Sequence, residues 1–382
     1  MKKRILAMLL AVMATMSLAG CGGAEDVPPP KETQVQETIA QEQVKEEKPA
    51  PAPEVESKSE QEETPAVEVP SGINPLTGLP MESEYENDRP VAIMFNNLPR
   101  ALPQLGISLA DIIYEIPAEG AVTRMVGVFQ TVDGIGDLGS IRSTRPYYLE
   151  VALGHDAVLV HAGGSPDAYD KIPDWGVNNV DGVRGVSSQT AFWRDAGRKK
   201  TMGYEHSLLT SGELIKKYIA SARYPTEHAE SYQYAQSFAD EAVMPSAATA
   251  ETVRLAFYKN KSSIFEYDAA AKRYKVSQVH DKTDAYIDGN TGEQVAATNV
   301  LVLETDIRAI AGDTEGRLEV RMTGEGKGTY FCGGKYIPIR WSKADRNSPY
   351  VYTLTDGTPL TMARGVSYVC IMDPANSTLK IG

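Results

Sequence analysis

The stretch VLVHAGGSPDAYDKI, Val158 to Ile172, decides how the rest of this 382-residue chain is read. Its first residues are uninterrupted apolar, as in a strand buried on both faces, and the strand reading covers Ala157 to Val160. Gly163-Gly164 then allow a sharp bend. Ser165 and Pro166 are the residue types favoured at a helix cap and at the first helical position. A buried strand feeding a helix through a tight corner is a unit of α/β architecture. Such a corner leaves backbone N–H groups free at the helix start, which is a natural seat for an anion. Three uses compete: a plain turn, an anion or carboxylate seat at Gly163, Gly164 and Ser165, and nucleophilic catalysis by Ser165. The last lacks the G-x-S-x-G pattern, and capping already occupies that hydroxyl. Neither the Walker spacing nor G-x-G-x-x-G is present, so no nucleotide cofactor is expected.

Working outward, Val91 to Asn96, Asp111 to Ile116 and Val122 to Gln130 read as strands, the last two separated by Pro117 and Gly120. Ser143 and Pro146, followed by apolar spacing at Tyr148, Val151, Ala152 and Leu153, predict a capped helix. A further helix follows Ser211, with Leu214, Ile215, Tyr218 and Ile219 on one face. From about Thr252 the pattern changes to short strands with turn signals at Asp288-Gly289, Asn290 and Asp356-Gly357. FCGGKYIPIRW, Phe331 to Trp341, suits a hairpin or bulge around Gly333-Gly334. Lys335, Arg340 and Trp341 lie on its solvent face or at a ligand rim. The expected fold class is mixed α+β: an α/β-type domain over 73–240, then a smaller β-rich domain over 241–382.

Upstream, Lys2, Lys3 and Arg4 precede an apolar core from Ile5 to Met16 and a small-residue run ending at Cys21, the order of a lipoprotein signal over residues 1–20. Lipidation of Cys21 would anchor the mature chain, and no segment has the length of a transmembrane helix. Residues 21–72 form a linker rich in Glu, Gln, Pro and Ala, without aromatic residues, and are expected to be disordered. The linker carries about −9 of the chain's formal −13, and the folded remainder is moderately acidic, which argues against nucleic acid as a partner. Cys332 and Cys370 are two buried thiols, one disulfide, or a reactive cysteine; nothing beside them selects the last.

NPLTGLP at Asn74, RPVAIMFNN at Arg89, ADIIYEIPAEG at Ala110, SIRSTRPYY at Ser140, VHAGGSP at Val160 and GGKYIPIRW at Gly333 occur in one order. In these runs the chain resembles the YerB-like lipoproteins of bacteria, from Asn74 to about Cys370. The resemblance implies an envelope lipoprotein with N- and C-terminal domains of unknown function (DUF3048) and supplies no catalytic residues.

Arg142 and Arg145, three residues apart at a helix start, can clamp a carboxylate or phosphate, or else satisfy acidic neighbours such as Glu150 or Asp156. Arg124 is a further cation for the same patch. His161, at a strand end, and His206 are candidates for the same cleft, with Trp193, Arg194 and Asp195 near His206. No short regular ligand spacing suggests a metal. The leading expectation is a membrane-anchored, non-enzymatic envelope protein on the extracytoplasmic face. It would bind an anionic or carbohydrate-containing ligand, such as a wall polymer, through Arg142, Arg145, His161, Gly163, Gly164, Ser165 and His206. The alternatives are a peptidoglycan hydrolase or transferase, with His161 as base beside Asp167 or Glu119 or with a cysteine nucleophile, and a scaffold for other envelope proteins that presents Trp175 and Trp193.

Overall fold

The computed structural model describes residues 72–382; the signal, Cys21 and the acidic linker through residue 71 lie outside the described residues. Eleven strands form one mixed sheet. In chain order they are β1 (Val91–Phe95), β2 (Ile112–Ala118), β3 (Val122–Phe129), β4 (Val158–His161), β5 (Asn179–Asp181), β6 (Ala248–Thr249), β7 (Asn299–Glu304), β8 (Gly324–Cys332), β9 (Lys335–Lys343), β10 (Val351–Leu354) and β11 (Ser367–Met372). Their spatial order is β6-β9-β8-β7-β11-β2-β3-β1-β4-β5, with β10 also on β9. The run β1-β4-β5 is parallel, as the strand-corner-helix reading requires. β2, β3 and β1 pair antiparallel.

Side chains alternate across this sheet into two cores. Val91, Ile93 and Phe95 face one way, with Val300, Val302, Tyr368 and Cys370. Ala92 and Met94 face the other, with Leu301, Leu303, Val369 and Ile371. The second face is covered by α1 (Pro146–Gly154) and α2 (Pro166–Asp174). The first is covered by a six-stranded sheet and by the longest helix. That sheet is built from Thr252–Tyr258, Lys261–Asp268, Arg273–Val279, Thr283–Ala285, Ala296–Ala297 and Thr378–Ile381. Between α2 and the longest helix stand two short ones, α3 (Ser187–Thr190) and α4 (Ala196–Thr201); the longest is α5 (Gly212–Ala222).

Some local signals are realised at the residues that carry them, though the helix expected to be capped from Ser143 begins at Pro146 with Arg145 at its N-cap and no side-chain cap. Ser165 caps α2 by accepting from the Ala168 amide, and Pro166 is its first residue. Ser211 caps α5 in the same way. Gly333 and Gly334, at φ of 59° and 71°, form the two-residue turn joining β8 to β9, where two successive left-handed positions favour glycine.

The change near residue 240 is real as a change of secondary structure: all helices precede it, and the described residues after it contribute strands. Hydrogen bonding crosses it. β11 lies between β7 and β2, parallel to both, with Ser367 opposite Ile112 and Cys370 opposite Glu115. The halves therefore share one sheet instead of building one each, and the described residues belong to a single compact unit. Cys332 and Cys370 are free and buried, on strands with β7 between them. Adjacent strands stand about 4.8 Å apart, so two strand spacings exceed disulfide reach.

Candidate functional site at the strand ends

The carboxyl ends of β1, β4 and β5 are where an open parallel sheet collects polar groups. Residues 140–145 cross those ends. Asn96 donates its amide to Ser140 O at 3.0 Å, Arg142 donates to Met94 O at 2.9 Å, Ala162 donates to Arg142 O at 3.0 Å, and Thr144 donates to Gly163 O at 2.9 Å. This lacing brings Arg142 and Arg145 to the end of β4.

At the corner itself, Gly163 adopts φ of 78°. Its N–H donates to Asp181 Oδ1 at 2.9 Å, as does the amide of Val183. Tyr169 donates its hydroxyl to Asp181 Oδ2 at 2.8 Å. The carboxylate at this corner is the protein's own, from Asp181 at the end of β5. His161 is fully buried, its Nδ1 2.9 Å from Gly163 O and its Nε2 3.1 Å from Asn179 Oδ1. Ser165 Oγ accepts from Ala168 N at 3.2 Å. The Gly163 amide, His161 and Ser165 thus serve the corner's own architecture, which corrects the expectation of an open seat here.

The arginines do gather, around acids other than Glu150 and Asp156. Arg145 pairs with Glu119, and its Nη1 donates to Thr144 O at 2.6 Å. Arg124 Nη2 meets the same Glu119 Oε1 at 2.6 Å, and Nη1 donates to Ser143 O at 3.1 Å. Burial alone would raise the Glu119 carboxyl; the two guanidiniums override it and hold it near 2. Asp156 pairs instead with Arg89 and His228.

Arg142 stands apart from these closed pairs. It pairs with Glu205, whose side chain is 58% exposed, while that of Arg142 is 20% exposed. Burial, and then Arg124, lower the pKa of Arg142, with Glu205 opposing. Three guanidiniums thus meet two carboxylates at the strand ends. His206 is buried beside them, its Nδ1 3.0 Å from Asn96 Nδ2, and burial lowers its pKa. Next in sequence, Tyr204 is 61% exposed, with the Arg194 guanidinium 3.5 Å and the Lys199 ammonium 5.6 Å from its ring centroid. Asp195 caps α4, accepting from Arg198 N at 2.6 Å.

Sequence reasoning missed Asp181, Tyr204 and Glu205. A three-residue strand and a single 3-10 turn carry too few residues for any periodicity to single them out. Among the described residues, no group of three or more His, Cys, Asp or Glu is placed to hold a metal ion, and no helix is long and apolar enough to cross a membrane. Burial raises the thiol pKa of both Cys332 and Cys370, which keeps them protonated and poorly nucleophilic.

The fold, a mixed sheet shared by two sequence halves, is that of a known class. Residues 76–225 match the model described as the N-terminal domain of a protein of unknown function (DUF3048), and residues 253–369 match its C-terminal domain. The chain belongs to this YerB-like family. It is 30% identical over 303 residues to "Putative lipoprotein YerB" of Bacillus subtilis (strain 168), covering 78% of this chain and 85% of that one. It is also similar to the crystal structure of the YerB protein from Bacillus subtilis, with a TM-score of 0.68 and 28% identity over 81% of this chain and 99% of that one.

Proposed function

We propose that this protein is a lipoprotein held through Cys21 on the extracytoplasmic face of the cell membrane, where it binds an anionic group of a carbohydrate-containing wall polymer or its precursor. The signal-like N-terminus and the likeness to a lipoprotein support the location. The reading of the site rests on one observation, the uneven pairing of Arg142. Among the described residues its one carboxylate partner is mostly exposed, where an ion pair contributes little, while Arg124 beside it adds repulsion. An incoming phosphate or carboxylate that displaces Glu205 gains a bidentate contact with a partly desolvated guanidinium.

The test is calorimetric titration of purified, solubilised wall fragments into the full-length protein. Arg142→Ala is expected to weaken binding about tenfold or more, the scale of one charged hydrogen bond. Glu205→Gln, which removes the competing carboxylate, is expected to strengthen it. Thermal unfolding of Glu205→Gln should stay close to wild type, because the Glu205 side chain is mostly exposed. Unchanged affinity in Arg142→Ala would place the ligand elsewhere.

A further inference from the structure

Between Gly182 and Tyr204 the chain carries Arg184, Arg194, Arg198, Lys199 and Lys200 against a single acid, Asp195, in a protein whose formal charge is −13. Arg198 is turned inward: its guanidinium donates to Ala101 O at 2.7 Å, Pro103 O at 3.0 Å and His206 O at 3.3 Å. That clamp docks α4 on the turn that carries Arg100, which is exposed and whose Nη2 comes within 3.9 Å of the position a Gly203 Cβ would take. Arg194 and Lys199 approach the ring of Tyr204, and Arg194 also donates to Tyr204 O at 2.6 Å. Arg142 follows directly through Glu205. Arg194 and Lys199 therefore lie against the exposed Tyr204, and Arg100 and Arg142 against its chain neighbours Gly203 and Glu205, with Glu205 the acid paired to this group among the described residues.

We propose that this row is a track for an extended polyanion, a phosphate-bearing polymer whose successive charges engage Arg142, Arg194, Lys199 and Arg100. The proposal rests on the Arg142 reading above and names the ligand class of that site. A single small anion needs one or two of these cations. Four neighbouring cations, Arg100 and Lys199 exposed and Arg142 and Arg194 half-buried, match a ligand with repeated charges on an otherwise acidic protein, because each added contact acts at high effective concentration. A flat bilayer fits less well: Arg142 is mostly covered, so a narrow chain reaches it where a membrane plane does not, and cations already lie against the Tyr204 ring.

The experiment compares pyrophosphate with long-chain polyphosphate, titrated into the full-length protein in neutral detergent. Affinity is expected to rise about tenfold or more with chain length. The double variant Arg194→Ala, Lys199→Ala should lose that gain while still binding pyrophosphate, and Arg142→Ala should lose both. Equal affinity at the two lengths, with pyrophosphate binding still dependent on Arg142, overturns the track and leaves the proposed function standing. Failure of both anions to bind removes the two together. A length effect that survives in the double variant, or adsorption to phosphatidylglycerol vesicles through Arg194 and Lys199 without any length effect, also overturns the polymer track.

Discussion

Asp181 does for the Gly163 corner what a bound anion does elsewhere. Two amides and the Tyr169 hydroxyl converge on one buried carboxylate. Replacing it by alanine strands those donors, and each buried unsatisfied group costs about 1–3 kcal/mol. Asp181→Ala is therefore expected to unfold at clearly lower temperature than wild type. Formate, which has the size and charge of the missing group, should raise its melting temperature more than chloride does at equal ionic strength, with no such difference in the wild type. Identical responses to the two salts would show that the amides hold no seat of their own. What the sequence made legible here was local: Ser165, Pro166 and Gly163 act within a few residues of themselves. Asp181 and Glu119 act across the fold on Gly163 and Arg145, and no spacing along the chain announces such partners. Arg145 beside Glu150 looked like a pair in sequence, yet the side chain reaches the β2–β3 connection instead.

At the scale of elements, the second sheet is fastened to the first by charge as well as by apolar contact. Glu115 of β2 points into the interface, where Lys261 Nζ lies 3.1 Å away, with both side chains essentially inaccessible. Ser263, Tyr368 and Thr123 donate hydroxyls to the same carboxylate at 2.6, 2.7 and 2.7 Å. Burial would raise the Glu115 carboxyl, but Lys261 and these donors keep it low. Lys261→Met leaves that charge without its counter-ion and is expected to cost about 3–5 kcal/mol in urea unfolding. Adding Glu115→Gln to that variant should recover part of the loss. A double variant no more stable than Lys261→Met alone would mean the pair is not what joins the sheets. The strands themselves were readable, since β1 and the β8–β9 hairpin carry their apolar runs and turn glycines openly. A buried Glu–Lys pair was not, because each residue sits in a strand where it reads as an ordinary polar position.

For the whole molecule, composition located the change in secondary structure but not the connectivity. Helices end and strands take over near residue 240, yet β11 returns from the far end of the chain to complete the first half's sheet. Parallel pairing between strands some 250 residues apart leaves no mark in local sequence, since each strand shows only that it is apolar. A fragment spanning residues 72–240 therefore keeps α1, α2 and α5 but exposes the apolar edge of β2, and such an edge recruits other chains. That fragment is expected to aggregate or to give a poorly dispersed amide NMR spectrum, whereas residues 72–382 should be monodisperse. A well-dispersed spectrum from the shorter fragment would show that the first half folds alone.

The place of β11 also bears on the order in which such a chain takes shape as it is made. The last of the eleven strands in chain order sits between β2 and β7, so the main sheet cannot close until residues 367–372 have been made and are free to pair. Pairing between residues this distant is slow because the closing loop is costly. A chain whose main sheet is locked by the last of its eleven strands stays pliable through most of its synthesis and acquires its shape only once that strand is free to slot in.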